Sequence, residues 1–149
     1  MKRLRLLFSL LVLGLGSLVA PVSVRAAERE FTVADVRGSY GFSWSGTLGA
    51  GTSGAVPAAA EGLLVADGRG NFTDAVRTLS VNGSVSHQTA TGMYTVNSNG
   101  TGSATLHVNF GTGPLATETF EFVIVNGGRE APFIGTNPGV VIRGVAVKQ

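Results

Sequence analysis

The feature that most constrains this chain is a recurring corner. Asp67-Gly68, Asn82-Gly83, Asn99-Gly100 and Asn126-Gly127 punctuate the sequence at short intervals. Asn-Gly and Asp-Gly are the strongest short-range hairpin signals, because a type I′ turn needs positive φ at both central residues. Gly takes that conformation without steric cost, and Asn and Asp tolerate it. Between Asp67-Gly68 and Asn82-Gly83 there is room for one strand and little else. Gly111–Pro114 and Asn137–Gly139 add further corners. No cysteine occurs, so no disulfide can staple the fold. Burial and backbone pairing must hold it together, and a chain of this size can bury about two-thirds of its unfolded surface.

The runs between corners alternate with period two, the mark of a half-buried strand. In residues 39–48, Tyr40, Phe42 and Trp44 point one way and Ser39, Gly41, Ser43 and Ser45 the other. The aromatic stripe reads first as core. Further strands are predicted over 59–66, 71–81, 84–97, 102–110, 117–125, 132–135 and 140–147. Gly92, inside the fourth, signals a bulge or bend. Leu106, Val108 and Phe110 oppose Thr105, His107 and Asn109; Phe120, Phe122 and Ile124 oppose Thr119 and Glu121. About eight short strands with short connections predict an all-β antiparallel up-and-down meander. Closure into a small barrel removes its two open edges. A two-sheet β-sandwich is the alternative; it usually needs a longer crossing connection, which only residues 49–57 offer.

Met1 to Ala26 reads as a secretory signal peptide: a basic start (Lys2, Arg3, Arg5), an apolar stretch, and small residues flanking Arg25. The apolar stretch is shorter than the roughly 20 residues of a spanning helix. Cleavage near Ala26 predicts a periplasmic or secreted protein that meets the membrane only at export. Residues 27–38 form a lead-in, read either as one helical turn, with Thr32 and Asp35 spaced for a capping box, or as extended chain. Residues 39–149 form the barrel domain. Of 11 Lys and Arg, four lie in or beside the leader; the remaining seven against nine acids give the mature chain a net charge of −2. The basic balance thus belongs to the leader, no basic patch remains, and no nucleic-acid partner is expected.

Motifs with chemistry are sparse. Gly49-Ala-Gly51-Thr-Ser-Gly54 matches the dinucleotide fingerprint formally, but Pro57 and a strand follow where a helix must open. No Gly-x-Ser-x-Gly elbow occurs. His87 and His107 have no metal-ligand spacing and no Cys to join them, so no metal and no cofactor are expected. Asn71, Asn82 and Asn99 fit the glycosylation pattern, but all sit in turns that call for Asn anyway. The polar residues lying within strands are Asp74, Arg77, His107, Glu121 and Arg143. His107 and Glu121 line a cavity only if the Leu106 and Phe120/Phe122 faces look outward; otherwise they are surface groups. Arg143 shares its face with Val141, Val145 and Val147, so it pairs with an acid inside or sits on an exposed edge.

The phrases beginning Arg37-Gly-Ser-Tyr40, Ala66-Asp-Gly-Arg69, Gly92-Met-Tyr94, Thr101-Gly-Ser103 and Asn137-Pro-Gly139, the last running to Gln149, resemble a family of small exported bacterial proteins of unknown function. The likeness spans most of the mature chain. It departs at Gly100, where members often have Cys. In its topology and short turns the chain also resembles the calycin-type barrels, lipocalins and allene oxide cyclases. The export signal, the eight-strand count and the aromatic stripe point to a barrel that binds a small apolar molecule, with Tyr40, Phe42, Trp44, His107, Glu121 and Arg143 as candidate contacts. The resemblance to the cyclases implies a second reading, a cyclase or isomerase barrel using Glu121, His107 or Arg143. An eight-stranded outer-membrane barrel is a further reading of the strand count, against which stand the C-terminal Val147-Lys148-Gln149 and the absence of aromatic girdles.

Overall fold

The computed structural model describes residues 29–51, 53–111 and 113–149. The signal peptide expected over 1–26 lies outside them. Eight strands follow one another: β1 (Gly38–Leu48), β2 (Val56–Ala66), β3 (Asn71–Val81), β4 (Ser84–Val96), β5 (Thr101–Asn109), β6 (Ala116–Val123), β7 (Glu130–Gly135) and β8 (Val140–Lys148). Each pairs antiparallel with the next, and β1 pairs with β8, so the sheet is a closed barrel. The closing seam is long, running from Tyr40 opposite Lys148 to Leu48 opposite Val140. A sandwich is excluded by this single continuous ring.

Two corners behave as type I′ chemistry requires. Asn82 and Gly83 have φ of 48° and 84°, and Asn126 and Gly127 have 51° and 68°. The Asp67 corner is built differently. Only its glycines, Gly68 and Gly70, take positive φ. The Asp67 carboxylate accepts from the backbone N–H of Arg69 (2.7 Å) and of Asn71 (3.0 Å), and from the Asn71 side chain (2.7 Å). A side chain does there what backbone geometry does at Asn82.

The aromatic faces look inward. Tyr40, Trp44, Phe72, Tyr94, Phe120, Phe122 and Ile142 are buried, with Phe42, Leu64, Leu106 and Phe133 packed on them. Small residues share the interior: Ala58, Ala60, Ala66, Ala75, Ala104 and Ala146 are also buried. The walls approach closely at inward-facing glycines. A Cβ on Gly62 would lie 2.1 Å from the Val76 carbonyl oxygen, and one on Gly92 2.1 Å from that of Thr105. Glycines in such places let strands coil tightly enough to close a small barrel. Gly92 lies opposite a register shift, but the extra residue sits between Phe72 and Ala75 in β3, so the irregularity expected in the fourth strand falls in its partner instead.

One end of the barrel is stoppered by the lead-in. A 3₁₀ turn, Val33–Val36, follows Thr32, whose backbone N–H and hydroxyl both donate to the Asp35 carboxylate (2.8 and 3.2 Å). Arg29 pairs with the same carboxylate. Phe31 N–H donates to the Ser98 carbonyl (3.0 Å), and Tyr94 Oη donates to the Val33 carbonyl (3.1 Å). On the facing side Tyr40 Oη donates to the carbonyl of Gly128, in the second 3₁₀ turn Asn126–Gly128 (2.9 Å). Val36 is left buried at the head of the core. The helical-turn reading of the lead-in holds, and its role is to close the barrel floor.

Candidate functional site

An interior with large aromatics on some strands and Ala or Gly on others does not fill evenly. A cavity of about 80 Å³ remains, bounded by Val36 below and by Tyr40, Phe42, Trp44, Phe72, Phe120, Phe122 and Phe133 around it. Ala75, Ala90, Ala104, Ala131 and Ala146 supply the space between the rings. Phe72 lies against Tyr94, and Phe120 meets Phe133 edge-on (ring centroids 4.8 and 5.6 Å apart), which fixes three of the lining rings.

Arg77 and Gln88 bring polarity into this apolar lining. Position 77 alternates inward with Ala75 and Leu79 on β3, and position 88 is its direct partner on β4. Arg77 Nε donates to Gln88 Oε1 (2.7 Å), while Gln88 Nε2 donates to Ser86 Oγ (3.0 Å), which sets the amide's orientation. The guanidinium lies over the Trp44 ring, 6.0 Å from its centroid. Its two terminal nitrogens reach across the lumen to β6, where both donate to the Glu118 carboxylate at 2.6 Å. This is fork-to-fork pairing, the strongest geometry available to these groups. The Arg77 side chain is 6% exposed and that of Glu118 24%. The cluster satisfies itself: no buried side-chain nitrogen or oxygen lacks a partner among the described residues.

The sequence-predicted contacts divide cleanly. Tyr40, Phe42 and Trp44 line the cavity. His107, Glu121 and Arg143 do not: each alternates with an inward residue (Leu106, Phe122, Ile142) and stands on the outer wall. His107 sits beside the Thr117 hydroxyl at 3.4 Å, and Glu121 and Arg143 are exposed. The alternation with large apolar neighbours decides this, because burying a charge without a partner is expensive. Val141 and Val147 flank Arg143 on that wall and are themselves exposed. A closed ring has no free edge, so the edge position considered for Arg143 does not exist.

Glu118 and Gln88 are the residues that sequence reading passes over. Glu118 shares the inward face of Ala116, Phe120 and Phe122 but lies near its start between two threonines, and Gln88 shares its face with Ser86, so neither draws attention as a polar residue in a long apolar run. Arg77 is visible as a strand cation, but its partner lies 41 residues away.

Two phenols and two carboxylates are shifted. Burial pushes the Tyr40 and Tyr94 hydroxyls above their ordinary value. The Thr32 backbone N–H, with Arg29 beside it, holds Asp35 below its usual range, and the Asn71 side chain does the same for Asp67. All four lie at the stoppered end or its turns. Among the described residues no group of three or more His, Cys, Asp or Glu could hold a metal ion.

The fold and its lumen define a small eight-stranded antiparallel β-barrel with an apolar interior and one buried Arg–Glu–Gln cluster. Comparison with protein-family models, with curated proteins and with solved structures finds no match.

Proposed function

We propose that this is an exported barrel that binds a small, largely apolar molecule in its lumen. The observation that carries the reading is the cavity itself. Eight-stranded barrels have room for side chains or one small ligand, and here alanines leave about 80 Å³ among aromatic rings. Apolar walls with a few convergent polar groups are the usual composition of a small-molecule site. The leader supports export, and the small exported bacterial proteins and calycin-type barrels that the chain resembles fit the same reading.

The polarity of the walls weighs against the outer-membrane reading. Such barrels are apolar outside and polar within. Here the strand aromatics point inward. The outer wall mixes Ser43, Ser45, Thr89, Thr91, Thr95, Ser103 and Thr117 with exposed Leu63, Val76, Met93, Ile134 and Val141, and it carries no aromatic band among the described residues. The cyclase reading loses its named residues, since His107, Glu121 and Arg143 stand outside the lumen.

Trp44 is the single tryptophan and lines the cavity, so its emission reports occupancy directly. Titration with short alcohols should give a saturable change. Ala104→Leu, which fills the cavity from β5, should abolish it. A response that is absent, or that survives Ala104→Leu unaltered, overturns the proposal.

A further inference from the structure

We infer that the lumen ligand is a short-chain monocarboxylate, and that Glu118 is an internal stand-in for its headgroup; this rests on the lumen-binding reading above. Arg77 is held from two sides that no ligand need disturb. Gln88, itself oriented by Ser86, takes Nε, and Trp44 supports the plane. The two terminal nitrogens therefore present a fixed fork, and what occupies it is a carboxylate in bidentate geometry. The occupant is the more loosely held partner. Its side chain is four times as exposed as that of Arg77, and its carboxylate has no other hydrogen-bond partner among the described residues. Rotation of the Glu118 side chain toward water would free the fork without moving the backbone.

Exchange of one carboxylate for another keeps the buried guanidinium paired throughout, so the desolvation penalty that opposes most buried ion binding does not arise anew. A neutral ligand could not make this exchange, because it would leave Arg77 unpaired. The hydrocarbon has a place to go, since Arg77 borders the cavity. Size sets the class. An apolar cavity of roughly 150 Å³ takes benzene and a water's share of liquid is roughly 30 Å³. The lumen at about 80 Å³ therefore suits a chain of about three or four heavy atoms.

The test compares sodium butyrate with 1-butanol, which shares its chain and lacks its charge, at ionic strength matched with sodium chloride. Binding is read by Trp44 emission and by thermal shift. The wild-type protein should bind butyrate at least threefold more tightly than 1-butanol. Glu118→Ala should bind butyrate at least tenfold more tightly than wild type and should widen the preference for butyrate over 1-butanol, because the competing carboxylate is gone. If Glu118→Ala does not fold, the wild-type ratio decides alone. 1-Butanol binding as tightly as butyrate overturns the carboxylate assignment and leaves lumen binding standing. Failure of both ligands to bind overturns both.

Discussion

Arg77 and Glu118 join β3 to β6 across the lumen, with β4 and β5 between them on the wall. Arg77 also lies over Trp44 on β1, which is not a neighbour of β3 either, so its side chain acts as a strut between non-adjacent strands. Removing one end leaves a charge in an apolar interior. Glu118→Gln should destabilise the barrel by about 3–5 kcal/mol in urea unfolding, less whatever solvent reaches the carboxylate position. The double variant Arg77→Met with Glu118→Leu should be near neutral or stabilising, since apolar replacement of a buried pair often is. Additive losses in that cycle would show that the two side chains do not act as a pair.

Tyr40 and Tyr94 tie the two 3₁₀ turns to the barrel by single hydroxyls. Tyr94→Phe should cost about 1 kcal/mol and should raise amide exchange at Phe31, whose N–H is held by the Ser98 carbonyl. Unchanged exchange at Phe31 would mean that the lead-in is held by packing alone.

The same phenols predict an alkaline limit. Their folded-state values lie above 10.0, the value of a free tyrosine. Stability from the neutral hydroxyls is therefore complete below pH 10 and is lost as pH rises through the folded values. Absorbance at 295 nm should show two tyrosines titrating late, in step with loss of fold.

Asp35 and Asp67 work in the opposite direction. Their folded values lie below 3.8, so the stability they add is present above that pH and is lost as pH falls through the folded values. Asp67→Asn should flatten the acid limb of a melting-temperature profile, and carbon-detected titration of Asp67 should place its midpoint below 3.8.

Gly62 faces inward where β2 meets β3. Gly62→Ala puts a methyl against the Val76 carbonyl, where no flexible side chain can yield. A loss of about 1–3 kcal/mol is expected, read as a lower urea midpoint at unchanged slope.

Much of this architecture is legible in the residues. Period-two alternation separates Tyr40, Phe42 and Trp44 from Ser39, Ser43 and Ser45, and the strand positions follow from the glycine corners, with β3 bounded as expected at Asn71 and Val81. Thr32 and Asp35 announce their turn by spacing alone. The site is less legible, for a physical reason. Local pattern reveals which face a residue shares, whereas the Arg77 fork is completed by a residue brought near only when the ring closes. Glu118 shares the face of Phe120 and Phe122, so alternation alone puts it inside, but nothing local shows the cation that pairs with it. His107, Glu121 and Arg143 show the complementary case. They draw attention as polar residues within strands, yet their apolar neighbours already assign them to the outer wall.

The seam between β1 and β8 has a consequence for assembly. Backbone groups from Tyr40 to Leu48 wait for the final nine-residue strand, Val140–Lys148, before they are paired. Contacts so distant along the chain form slowly, since their loop entropy must be met first. A polypeptide in which β8 has not yet docked thus carries an unzipped β1 flank prone to pairing with other chains. Docking of β8 on β1 is the event that commits the molecule to its native shape.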